Sequence, residues 1–148
     1  MPPKARRAPR RTTLTRLRMA SRRSAVAPMV ERTLKIVARA GLSQERCENL
    51  AVALAEALSN AAVHGHRDKP GSRVLLVVMT KPDGCVVVDV KDSGPGFDVA
   101  SLVDPTDPKR LLVPGGRGVF MMRRLVDRVE YNPRGNHVRL ILDAQPSP

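Results

Sequence analysis

The sequence predicts an α/β protein, a two-layer sandwich of about three helices on a mixed, mostly antiparallel sheet of four to five strands. Two hairpin patterns predict the sheet. Val74 to Met79 and Cys85 to Val90 are apolar, β-branched runs joined by Lys81-Pro82-Asp83-Gly84, while Arg128 to Tyr131 and His137 to Leu142 flank Asn132-Pro133-Arg134-Gly135-Asn136. In both connections proline presets φ and glycine permits the positive φ of a tight reversal. A third observation predicts the helical layer: three other segments repeat apolar residues at intervals of three and four, the period of a helix with one buried face.

From the N-terminus, Thr13 to Met19 alternates with Leu14, Leu17 and Met19, predicting a short first strand at a sheet edge. Ser21 or Ser24 is placed to cap a helix that takes Pro28 near its first turn, carries Met29, Val30, Leu34, Ile36 and Val37, and ends at Gly41. Ser43 caps a second helix, with Arg46 and Glu48 on its outer side, and the two helices pack together. Asp68 to Ser72 is a loop ahead of the first hairpin, whose second strand leads directly to Asp92. Val99 to Pro114 holds three prolines with Lys109 and Arg110 and shows no period, so it reads as a long loop. Gly118 to Val129 returns to helix with Val119, Met122, Leu125 and Val126 inward, Met121 and Met122 being core rather than ligand contacts. In the last hairpin His137 alternates with inward positions and reads as structural.

The second helix carries the chemistry. Within Leu54 to His66, the residues Glu56, Asn60 and His64 stand four apart, which at about 3.6 residues per turn aligns a carboxylate, an amide and an imidazole on one face. Leu50, Leu54, Ala57, Leu58 and Ala61 form the opposite, core-facing stripe. Alone, the polar face would read as solvated. Two glycine-rich stretches change that: Asp92-Ser-Gly94-Pro-Gly96-Phe97 at a strand end, and Gly115-Gly116-Arg117-Gly118 ahead of the third helix. The first permits close backbone approach to a ligand beside a carboxylate; the second is a place where backbone N–H groups cradle phosphate.

With these three stretches in this order, the chain resembles the GHKL ATPases of the Bergerat fold, and among them the small anti-sigma-factor serine kinases. The resemblance runs from about Thr13 to Asp143. Glu56-Ala-Leu-Ser-Asn60, with His64 and Gly65, is similar to the family's N box; Asp92-Ser-Gly94-Pro-Gly96 to its first glycine box; Gly116-Arg117-Gly118 to its second. The chain departs from the family at Gly135-Asn136-His137, where relatives often carry Gly-Thr, and no site residue is carried over there. The resemblance implies ATP and Mg²⁺ as cofactors. It implies Glu56 as the catalytic base, Asn60 as the Mg²⁺ ligand, and Asp92 as the acceptor from the adenine amine. Gly94 and Gly96 would keep the base pocket open, with His64 among the nucleotide-binding residues. Gly116, Arg117 and Gly118 would meet the phosphates, with Lys109 or Arg110 of the long loop, a mobile ATP lid, adding charge.

Composition bounds the rest. A chain of 148 residues with 42% hydrophobic residues fits one domain over residues 12–144, with a basic disordered tail at 1–11 and a free end at 145–148. The net charge of +12 is uneven: nine of the 26 Lys and Arg precede Glu31, the first acid, leaving 17 bases against 14 acids. Nucleic-acid contact through that tail is conceivable and not favoured, since Phe97, Phe120 and Tyr131 are not interleaved with basic residues for base stacking. With neither a membrane-length apolar run nor a signal-peptide pattern, a cytoplasmic protein without membrane contact is expected. Cys47 and Cys85 have no metal-site spacing and read as two reduced, partly buried thiols.

A single module of this length, with no room for a transducer domain and no phosphoacceptor histidine upstream of His64, resembles the free-standing anti-sigma kinases. The resemblance implies an ATP-dependent serine kinase that phosphorylates a STAS-type anti-anti-sigma protein, sequesters a sigma factor and forms a homodimer. The alternatives are a nucleotide-binding adaptor without kinase activity and a detached histidine-kinase-like catalytic domain.

Overall fold

The computed structural model describes residues 11–64, 71–98 and 116–144. Its elements are β1 (Thr13–Ala20), α1 (Val26–Arg39), α2 (Gln44–His64), β2 (Arg73–Thr80), β3 (Val86–Lys91), α3 (Gly116–Leu125), β4 (Arg128–Tyr131) and β5 (His137–Leu142). Among the described residues the sheet has five strands in the order β1-β2-β3-β5-β4, and every neighbouring pair is antiparallel. The two-layer sandwich is as predicted, with no parallel pair in the described sheet.

One sheet face is apolar because alternate residues of each strand point the same way. Leu17 and Met19, Val74, Leu76 and Val78, Val86, Val88 and Val90, and Val138, Leu140 and Leu142 are all buried on that face. Against them lie Leu50, Leu54, Ala57, Leu58 and Ala61 of α2, the stripe predicted from its spacing, and Val119 and Met122 of α3. Alanines at 53, 57, 61 and 62 let α2 lie close to the sheet and to α3.

The helix ends follow local chemistry. Ser43 Oγ accepts from the Arg46 N–H at 3.3 Å, an N-cap as predicted. Gly41, at φ +98°, terminates α1: its N–H reaches Ala38 O at 3.1 Å and the Leu42 N–H reaches Val37 O at 3.2 Å, the paired bonds of a Schellman ending. The N-terminus of α1 differs from expectation. Neither Ser21 nor Ser24 caps it; a single 3₁₀ turn, Arg23–Ala25, leads in, Ala25 stands at the cap, and the buried Ser21 gives its N–H to Ser72 O. Pro28 sits in the first turn, where its missing N–H costs no intrahelical bond. The third helix begins two residues earlier and ends four earlier than its period suggests, because Arg128 and Val129 pair with β5 instead.

Arg46 locks the start of α2 to the far edge of the sheet, donating to Asp127 Oδ2 and to Asp143 O, both at 2.8 Å. Cys85 is buried and Cys47 half-buried, and both are free thiols. No described helix is long and apolar enough to cross a membrane. Residues 1–10 of the tail predicted at 1–11, Gly65 of the predicted N box, residues 68–70 of the predicted loop, the predicted lid at 99–114 with Lys109 and Arg110, and the end at 145–148 lie outside the described residues.

Candidate functional site

The C-terminal half of α2, the end of β3 and the β4–β5 hairpin enclose a pocket. Ala57, Asn60, Ala61 and His64 line it from α2, Val90 from β3, and Asp92, Gly96 and Phe97 from the loop that follows. Tyr131 and Asn136 close it from the hairpin. Asn60, His64, Asp92 and Gly96, all predicted from sequence, thus share one cavity.

Asp92 is the carboxylate of this pocket. Its Oδ1 accepts from the Gly94 N–H at 2.8 Å, folding the loop back on the end of β3. Burial pushes the Asp92 carboxyl above its usual value, opposed by the Gly94 N–H and the nearby His64. A carboxylate held in a low-dielectric pocket strongly favours a ligand donor that replaces lost water. Gly96 turns the loop at φ +73°, and a Cβ there would collide with the backbone of Arg134. That glycine is required by close approach of the two loops as well as by its φ.

Glu56 lies one turn before Asn60 and faces the start of α3. A Cβ built on Gly118 would stand 2.6 Å from Glu56 Oε2 and 3.7 Å from Asn60 Nδ2. The structure therefore joins the second glycine stretch to the N-box pair through a contact that only glycine leaves room for. Because α3 begins at Gly116, the N–H groups of residues 116–118 belong to its first turn and have no intrahelical acceptor. N–H groups of a first turn can bind an anion, together with the positive end of the helix dipole. Gly116 and Arg117 thus sit at this helix start, and Gly118 meets Glu56 and Asn60.

Sequence reasoning missed three contributors. Tyr131 packs edge-on to Phe97 with ring centroids 5.3 Å apart, and burial, with Arg123 opposing and Glu56 reinforcing, pushes its hydroxyl up to about 12. Asn136 donates from Nδ2 to Gly94 O at 3.3 Å, and Gly135, at φ +73°, lies against Phe97. The available signal was Gly135-Asn136 at the head of a strand, in the position set aside as a departure. His137 is structural in part: its Nε2 meets Asp89 Oδ1 at 2.9 Å on the outer sheet face, while it also borders the pocket.

Among the described residues no cluster of three or more His, Cys, Asp or Glu is placed to hold a metal. Asn60 supplies a single neutral oxygen, a donor set that suits Mg²⁺ only when phosphate oxygens and water complete its octahedron. Such a donor fits a magnesium ion whose remaining ligands are phosphate oxygens and water, beside the start of α3.

The sequence matches the family described as histidine kinase-like ATPase domain over residues 19–142. It is 32% identical over 100 residues to a serine-protein kinase RsbW of Oceanobacillus iheyensis, covering 64% of this chain and 63% of that protein. It is 26% identical over 100 residues to a serine-protein kinase RsbW of Staphylococcus aureus, with the same coverage. The chain spans under two thirds of the length of these curated relatives. In fold it is similar to the RsbU and RsbW domains of Rv1364c from Mycobacterium tuberculosis, with a TM-score of 0.63 at 17% identity over 91% of this chain and 34% of that one. It is also similar to the histidine kinase domain of a blue-light-activated kinase from Erythrobacter litoralis, with a TM-score of 0.55 at 18% identity over 82% of this chain and 64% of that one. The resemblance read from the three boxes is borne out, and the chain belongs to the histidine kinase-like ATPase domain family.

Proposed function

We propose that this protein is an ATP-dependent serine kinase and anti-sigma factor, phosphorylating a serine of a STAS-type anti-anti-sigma protein and, in its other state, sequestering a sigma factor. The observation that carries the reading is the placement of Glu56 and Asn60, one turn apart, against Gly118 at the start of α3 and beside the Asp92 pocket. The names of the curated relatives support the serine acceptor.

Asp92 would take the adenine amine as donor, and the first-turn N–H groups of α3 would hold the phosphates. Asn60 would hold the magnesium ion, which when bound neutralises charge on the transferring phosphoryl group. Glu56 would accept the proton of the attacking serine hydroxyl as its oxygen bonds the γ-phosphorus, while the bond to the β–γ bridging oxygen breaks and ADP leaves. Arg117, Lys109 and Arg110 remain candidates for phosphate charge, and His64 for the nucleotide-binding wall. A homodimer and a cytoplasmic setting belong to the same proposal.

Incubation with Mg²⁺, labelled ATP and a STAS-domain protein should place label on a serine, and Glu56→Gln should reduce the rate by at least about a hundredfold while leaving ADP affinity nearly unchanged. Equal transfer by Glu56→Gln would remove the base assignment. Nucleotide binding without transfer in the unaltered chain would leave an adaptor.

A further inference from the structure

The turn between β4 and β5 belongs to none of the three boxes, yet it is bonded into the pocket wall. Three hydrogen bonds form a closed ring. Asp92 Oδ1 accepts from the Gly94 N–H at 2.8 Å, Gly94 O accepts from Asn136 Nδ2 at 3.3 Å, and Asn136 O accepts from the Asp92 N–H at 3.0 Å. Asn136 is itself fixed from behind: its Oδ1 accepts from Asn132 Nδ2 at 2.6 Å and its N–H donates to Asn132 Oδ1 at 3.0 Å. Gly96 and Gly135, each at φ +73°, let the two loops touch backbone to backbone.

The ring commits one oxygen of Asp92 and leaves the other. Oδ1 is held by Gly94, whereas Oδ2 has no hydrogen-bond donor among the described residues. The oxygen that the ring leaves uncommitted can accept and cannot donate while the carboxylate is ionised. It suits a ligand that brings an N–H there and penalises one that brings a carbonyl oxygen, since two facing acceptors leave both unpaired.

We propose that Asn136 is a positioning residue for base recognition. It holds Gly94, and through Gly94 the Asp92 carboxylate, so that a single oxygen is offered to the exocyclic amine of adenine and opposed to the carbonyl of hypoxanthine. This deepens the nucleotide reading above and rests on it. Without the Asn136 side-chain link, Gly94 and the carboxylate it holds are less firmly placed, and selectivity falls faster than affinity for nucleotides in general.

The test is calorimetric titration of the full chain and of Asn136→Asp with ADP and with IDP, which differ at the base position in question. Asn136→Asp keeps the shape and the acceptor for Asn132 but removes the donor to Gly94 O. The unaltered chain should prefer ADP; in Asn136→Asp the ADP affinity should fall by about tenfold and the IDP affinity by less than about twofold, so the ratio collapses. A parallel loss for both nucleotides would mark Asn136 as merely structural and overturn the proposal, as would an unchanged ADP affinity. An unaltered chain that binds neither nucleotide would overturn the underlying reading and this proposal together. Should Asn136→Asp fail to fold, Asn132→Asp is the second variant: it keeps the acceptor for the backbone N–H groups of Asn136 and His137 and loses the donor that fixes Asn136. A smaller shift of the same ratio is expected there, and none would overturn the proposal.

Discussion

At the scale of single residues, Gly118 separates folding from the proposed chemistry. The atom nearest to its missing Cβ is Glu56 Oε2, the far end of a flexible side chain, at 2.6 Å. Gly118→Ala therefore folds, and gains up to about 1 kcal/mol because alanine suits a helix better than glycine. The carboxylate must move, and an ångström at a reacting group costs on the order of a hundredfold in rate. The expected outcome is an unchanged or slightly raised melting temperature with phosphate transfer down by about a hundredfold. Transfer at the unaltered rate would show that Glu56 does not need its present place. Glu56 and Asn60 were legible in the sequence because a spacing of four is a statement about a helix face. The partner that Gly118 provides was legible only as a glycine in a motif, since the contact joins residues 62 positions apart.

At the scale of elements, the loop after β3 and the β4–β5 turn behave as one unit. Gly135 and Gly41 both adopt positive φ, but only Gly135 is enclosed, by the backbone of Phe97, whereas a Cβ on Gly41 meets nothing within 4 Å. Alanine at position 41 costs only the left-handed conformation, about 1 kcal/mol. Alanine at position 135 adds a clash with backbone that cannot swing aside, so Gly135→Ala should lose at least about 2 kcal/mol more than Gly41→Ala. Urea unfolding of the two variants measures the difference directly, and equal losses would mean that the loops are free to separate. Most of the elements were legible: the strands from alternation and turn chemistry, α2 from its stripe and Ser43 cap. The cap of α1 was not, because Ser21 was drawn into a bond with Ser72, 51 residues on. The end of α3 was missed for a related reason: pairing with β5 outweighs the helical period at Val129. Side-chain bonds such as Asn136 to Gly94, 42 residues apart, leave no periodic trace in a sequence.

At the scale of the whole molecule, the described helices pack on one face of the sheet, and the other face carries a buried charge cluster. On that face, in the middle of β3, Asp89 is only 8% exposed and takes Arg139 Nε at 2.8 Å, Arg139 Nη2 at 3.2 Å and His137 Nε2 at 2.9 Å. Burial raises the Asp89 carboxyl, but hydrogen bonds from Arg139 and His137 and their charges more than offset it and hold it below the usual carboxylate value. The depressed value fixes the sign. Asp89 contributes stability in full above the ordinary carboxylate value of the unfolded chain, and that contribution is lost as pH falls through the lower, folded-state value. The Asp89→Asn substitution keeps the shape and removes the titration. It should lower the melting temperature at neutral pH by several degrees, at about 3 °C per kcal/mol for a chain of this size. The gap should close as the medium is acidified, because a protonated aspartic acid and an asparagine at this position are then equivalent in charge. Melting curves that stay parallel across the acid range would show that the cluster sets geometry without contributing charge-dependent stability. Because His137 borders the pocket and follows Asn136 directly, Asp89→Asn should also weaken ADP binding at neutral pH, joining the outer sheet face to the site through one short stretch of β5.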